Sequence, residues 1–173
     1  MISTAFELGE EIKLKTVDFP LNQKLWERFD LPIDLNFSHW KTIKYLNDDG
    51  TEFSDDIDLL PNNCGGVYLF SVRCPVIPGI TEFPFYIGRA QHTNNQNLRK
   101  RCREYFLRYK KGVERPKITK MFNYWKNELY LSFYELNENN DTIDLEKKLI
   151  NSLLLPMNEE IPDKEEKQAV RAF

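Results

Sequence analysis

Apolar and polar positions mix without a sustained period over the first sixty residues, and the pattern sharpens only after Pro61. Gly66 to Arg73 (GVYLFSVR) concentrates β-branched and aromatic side chains, the composition of a pleated, half-buried surface, and predicts a strand. Phe85 to Gly88 (FYIG) predicts a second strand, reached through a proline-broken connection over 75–84. After a polar loop, QHTNNQN at 91–97, Leu98, Cys102, Phe106 and Tyr109 recur at near-helical spacing and predict a helix from Leu98 to Lys111. Arg101, Tyr105 and Arg108, four and three residues apart, run along an adjacent stripe of it. Pro116 to Glu128 predicts another helix, with Ile118, Met121, Phe122 and Trp125 as its apolar side. Leu129 to Leu136 (LYLSFYEL) predicts a third strand, Asn139 to Thr142 a turn, and Asp144 to Leu155 a helix stopped by Pro156. Upstream, Asn22 to Phe29 suits a short helix, Trp40 to Leu46 a strand or a helix end, and Asp48-Asp49-Gly50 a turn.

The order β-β-α-α-β-α implies one α/β (α+β) domain over 61–160: a small, mainly antiparallel three-stranded sheet flanked by helices. Residues 1–60 form an N-terminal extension of unknown role packed on or beside it, and 161–173 an acidic tail. The stretch from Glu159 to Lys167 is expected to be exposed and partly mobile. A chain of 173 residues suits one domain with a real core. No apolar run approaches the roughly 20 residues needed to span a bilayer. The opening MISTAFELGEEIKLK lacks the basic-then-apolar order of a signal peptide, so an intracellular, cytoplasmic protein is expected. Cys64, Cys74 and Cys102 form no CxxC pair and only two histidines accompany them, which reads as free thiols rather than a zinc site.

Charge changes the picture. The chain carries a net −3, yet twelve basic residues against Glu104 and Glu114 give Arg89 to Lys126 a charge of +10 and leave −13 for the rest. A polyanion responds to such local concentration, so a phosphate-binding surface is expected there, with Arg99, Lys100, Arg103, Arg108, Lys110 and Lys111 as DNA-contacting residues. A solvated helical face is the bland competitor for such a run.

Gly66-Val67-Tyr68 opens the first predicted strand and Tyr86-Ile87-Gly88 closes the second, and the basic helix and a later helical glutamate follow in order. Together these motifs resemble the GIY-YIG nuclease family over residues 65 to about 159, with Glu146 and Asn158 forming an E-(x11)-N ending. Local similarity is strongest to the nuclease domain of the bacterial nucleotide-excision-repair incision subunit, through Arg89-Ala90, Asn97 to Arg101 and Tyr105-Phe106. Each motif alone is weak, since an isolated strand tyrosine ordinarily packs and an isolated helical glutamate is ordinarily solvated; their order is what is specific. The resemblance implies a metal-dependent DNA endonuclease with Glu146 holding the metal and Arg101 as the essential arginine. It further implies site roles for Tyr68, Tyr86, Arg89, Tyr105 and Asn158. His92 is expected to be a solvated loop residue.

The chemistry suits these residue types. Phosphodiester hydrolysis needs an attacking water, neutralisation of transition-state charge and a stabilised leaving oxygen. Mg2+ (or Mn2+) accepts a single protein carboxylate plus water and substrate oxygens, and a guanidinium matches two phosphate oxygens at once. A phenol titrates near ~10, but the cations at Arg89 and Arg101 and the metal favour its ionised form. Tyr68 is accordingly expected to be the general base, with Tyr86 or Tyr105 orienting water or phosphate. The connection between the two motif strands and the loop before Leu98 are longer than in compact members of the family, and residues 1–60 match no recognisable module. Target choice is therefore assigned to the loops, to that extension or to a protein partner. A nucleic-acid-binding module that no longer cuts, or cuts only within a complex, is the alternative.

Overall fold

Residues 4–172 are described by a computed structural model, and their strands form one antiparallel sheet. The strands are β1 (Lys41–Lys44), β2 (Gly65–Arg73), β3 (Glu82–Ala90) and β4 (Leu129–Leu136), in spatial order β1-β4-β2-β3. Six α-helices accompany them: α1 (Ala5–Lys15), α2 (Gln23–Glu27), α3 (Leu98–Lys110), α4 (Pro116–Trp125), α5 (Asn139–Leu153) and α6 (Lys164–Arg171). The fold is mixed α/β of the α+β kind.

The sheet has four strands rather than three, because Lys41–Lys44 of the extension pairs with β4, Ile43 opposite Leu131. That short segment was ambiguous between strand and helix end, and only its partner decides it. β3 begins at Glu82 instead of Phe85, so the proline-rich connection is shorter than expected. A register shift between Phe70 and Ser71 absorbs Pro84 into the ladder. The polar run Asn139–Thr142 is the first turn of α5, where Asp141 complements the helix N-terminus and the buried Thr142 hydroxyl donates back to the Glu138 carbonyl at 3.0 Å. The C-terminal stretch is ordered into α6, which Asp163 caps and which buries Glu166.

Alternation along the strands divides the interior in two. Tyr68, Phe70, Val72, Tyr86 and Ala90 meet α3 and α4 on one face, where Cys102, Phe106, Met121 and Phe122 complete the larger cluster. Val67 and Ile87 face the opposite way and pack on Leu145, Leu149 and Ile150 of α5, with Phe29, Leu31, Ile33 and Leu35 of the extension covering them. Cys64 and Cys102 are buried thiols and Cys74 is half-buried; none is bonded to another. Gly66 sits at φ 153°, and a Cβ there would lie 2.2 Å from the Tyr134 carbonyl oxygen, so no side chain fits between β2 and β4. No helix among the described residues is long and apolar enough to cross a membrane.

Candidate active site

β3 is an edge strand, so helices on both faces of the sheet can bring side chains around its free side. Tyr86 and Gly88 lie on the α3 face and Arg89 on the α5 face, as strand alternation requires. Tyr68 pairs directly opposite Gly88, and its ring lies over the glycine. A Cβ at Gly88 would fall 2.6 Å from the Tyr68 hydroxyl and 2.7 Å from ring carbons, which explains the glycine of the Tyr-Ile-Gly motif.

On the α3 face the three phenols form one hydrogen-bonded group. The Tyr105 hydroxyl stands 2.8 Å from that of Tyr68 and 3.0 Å from that of Tyr86. Arg101 donates to the Tyr105 hydroxyl at 3.4 Å, and Tyr68 donates to the Arg89 carbonyl at 3.3 Å. Arg101 is held in place by Glu104, one turn on at 3.0 Å, and Gln96 donates to the other carboxylate oxygen of Glu104. On the α5 face the Arg89 guanidinium is paired with the Glu146 carboxylate. Burial raises the Glu146 pKa, and the attraction of Arg89 and Arg101 only partly offsets it.

These groups border two adjoining clefts that share Tyr86, Arg89 and Glu146. One, of about 370 Å3, adds Tyr68, Arg101, Gln91, Thr93 and Gln96; the other, of about 400 Å3, adds Arg115, Lys147 and Asn158. Tyr68, Tyr86, Arg89, Arg101 and Glu146 thus meet at the first cleft, with Tyr105 directly behind. Asn158 plays another part: its side chain accepts from the Ile87 N–H at 3.0 Å and donates to the Ile87 carbonyl at 2.8 Å. It fixes β3 at the border of the second cleft.

The protein's own groups do not favour the ionised form of Tyr68. Its ring is fully buried, and burial together with the neighbouring Tyr105 and Tyr86 pushes its pKa well above the phenol range; the Arg101 cation lowers it only weakly. Tyr105 is pushed up likewise, by burial first.

The expected DNA-contacting residues separate. Arg99 donates to the Leu60 carbonyl at 2.6 Å, and both Arg99 and Arg103 approach Asp58, at 3.5 and 3.8 Å. Arg108 pairs with Glu114 at 3.3 Å, Lys100 donates to the Asn95 carbonyl, and Lys110 reaches the Thr51 carbonyl at 3.5 Å. Lys111 is exposed at the end of α3. None of these six borders either cleft.

Sequence reasoning missed Arg115, which donates to the Tyr86 hydroxyl at 3.2 Å. It also missed Glu104 and Asn139, whose side chain holds both the N–H and the carbonyl of His92. Arg115 was visible only as one more charge in the basic run, and Asn139 only as a turn residue.

The carboxylate common to both clefts is that of Glu146, and no group of three or more His, Cys, Asp or Glu gathers among the described residues. One carboxylate beside phenol oxygens in an open polar cleft is a sparse set, the kind that Mg2+ completes with water and substrate oxygens. The donor chemistry therefore fits such an ion. No protein-family model, curated protein or solved structure matches the chain.

Proposed function

We propose that the protein is a metal-dependent endonuclease of the GIY-YIG type, hydrolysing phosphodiester bonds of DNA. The observation that carries this reading is the convergence of Tyr68, Tyr86, Arg89, Arg101 and Glu146, drawn from β2, β3, α3 and α5, on a single cleft. In this reading Glu146 holds the ion, which when bound supplies Lewis-acid polarisation of the phosphate and stabilises the leaving oxygen. Arg101, aimed by Glu104, takes the non-bridging oxygens of the scissile phosphate. Tyr86, which borders both clefts and accepts a hydrogen bond from Arg115, orients the attacking water. Tyr68 and Tyr105 act behind it, fixing the hydroxyl group of Tyr86 through their own. Asn158 positions β3.

The ion pair between Arg89 and Glu146 favours a second reading, a nucleic-acid-binding module that cuts only with a partner, because Arg89 must yield the carboxylate before an ion can take it. One experiment separates the two. Purified protein is incubated with single-stranded, duplex, branched and damaged DNA in the presence of Mg2+ or Mn2+, with binding measured alongside. Cleavage that disappears in a folded Glu146→Gln variant supports the nuclease. Salt-sensitive binding with no cutting of any substrate supports the module.

A further inference from the structure

Among the described residues, Arg115 is the one cation outside the motif residues that touches the phenol group. It precedes α4 as its N-cap residue, and its guanidinium carbon stands 5.5 Å from the Tyr86 ring centre and 6.0 Å from that of Tyr105. Its Nη2 donates to the Tyr86 hydroxyl, and its Nε approaches Glu114 at 3.5 Å. The Glu114 side chain is only 2% exposed; the oxygen near that Nε accepts from the Arg115 backbone N–H at 2.8 Å, and the other is ion-paired with Arg108 at 3.3 Å. A buried carboxylate of this kind holds Arg115 against Tyr86 from behind. The guanidinium fork still has N–H groups to offer the cleft it lines.

Arg101 stands on the other side of the same phenols, its guanidinium carbon 5.0 Å from the Tyr105 ring centre. The two guanidinium carbons therefore lie no further apart than those two Tyr105 distances combined. Each borders its own cleft, and the clefts join at Tyr86, Arg89 and Glu146. Exposed Glu159 and Glu160 also line the second cleft. An anion there would rely on directed N–H groups, not on net positive charge.

We propose that Arg115 forms a second phosphate subsite, gripping the backbone phosphate next to the scissile one, so that a single DNA strand runs from the Gln91–Gln96 cleft across Glu146 into the Arg115–Lys147 cleft. This rests on the nuclease reading for the identity of the central phosphate, while the subsite itself is testable without cleavage. In the first arm, binding of a short single-stranded oligonucleotide to the full-length Glu146→Gln protein is followed against salt without divalent ions. Adding Arg115→Ala lowers affinity on the order of tenfold and reduces the salt slope by about one charge. Adding Tyr86→Phe leaves the slope intact, because the guanidinium remains; Arg103→Ala, paired with Asp58 outside both clefts, also leaves it intact. An unchanged slope in Arg115→Ala, or an equal fall in Tyr86→Phe, overturns the subsite.

In the second arm, wild-type protein with Mg2+ cuts strands carrying one uncharged methylphosphonate. Cutting at the bond beside the methylphosphonate is suppressed in wild type, and that local suppression disappears in Arg115→Ala. Suppression that persists in Arg115→Ala overturns the assignment. If wild type cuts nothing, the nuclease reading falls, and the first arm still decides the subsite.

Discussion

The two stripes of α3 carry the same charges and do opposite work. Arg101 borders the first cleft with the buried Tyr105 directly behind it, and its hydrogen bonds hold it to Glu104 and to the phenol group. Arg99 and Arg103, roughly half a turn away, are spent on the backbone and carboxylate of the 3-10 turn at Asp55–Leu59 and on the face of Phe53. Density of charge along a sequence therefore does not measure a binding surface. A helix distributes its charges around an axis, and each arginine that satisfies a neighbouring carbonyl is withdrawn from any ligand.

The sharpest way to break this contrast is to exchange the stripes in an assay. Arg101→Ala is expected to reduce cleavage by about 10²–10³-fold, the usual loss when a directed donor to transition-state charge is removed. Arg99→Ala is expected to leave the single-turnover rate within a factor of about three, since it touches no cleft residue. Comparable losses in both variants would erase the distinction. The next effect falls on the floor of the site. Gly88→Ala forces the fully buried Tyr68 ring to move and is expected to cost about 2–3 kcal/mol in urea unfolding. Activity is expected to fall with it, because Tyr105 loses its partner.

On the outer stripe the loss is in stability alone. Arg99→Ala removes charged hydrogen bonds to the Leu60 and Asp58 carbonyls from a part-exposed position, which is worth about 1–2 kcal/mol in the same unfolding measurement. The smallest effect has an unusual sign. The folded pKa of Glu146 is raised even with Arg89 beside it, so its contribution is fully favourable only below the ordinary carboxylate pKa. That contribution is lost as pH rises through the raised folded value, and the ionised side chain is a net cost at pH 7. In metal-free buffer the melting temperature of Glu146→Gln is therefore expected to exceed that of wild type at pH 7. The difference should close as pH falls below about 4. A variant less stable than wild type at pH 7 would contradict it.

Much of the framework was legible in the sequence because strongly periodic segments declare their own type. The aromatic run of β2, Leu98, Cys102 and Phe106 of α3, and Ile118, Met121 and Phe122 of α4 are buried as their pattern implies. β1 was not legible, since a four-residue strand draws its stability from β4, which lies far along the chain. Short motifs located Tyr68, Tyr86, Arg101 and Glu146, whose side chains share a cleft. They did not reveal the burial of Tyr68, because desolvation depends on the layers above and below a ring and no linear pattern records it. Arg115 was invisible for a related reason. Its approach to Tyr86 is set by the turn between α3 and α4, where Gly112 takes a left-handed φ of 69° and brings the chain back.

The bonds that Asn158 makes to Ile87, with that from the Met157 N–H to the Phe85 carbonyl at 3.0 Å, have a consequence for the life of the protein at high concentration. Phe85 to Ile87 is an apolar, aromatic stretch on the outermost strand, the kind of segment to which another polypeptide readily adds in β fashion. The Met157–Asn158 segment occupies its outward N–H and carbonyl groups as a false neighbouring strand would. The same asparagine that steadies the cleft thereby shields the aromatic stretch of this edge from self-templated growth.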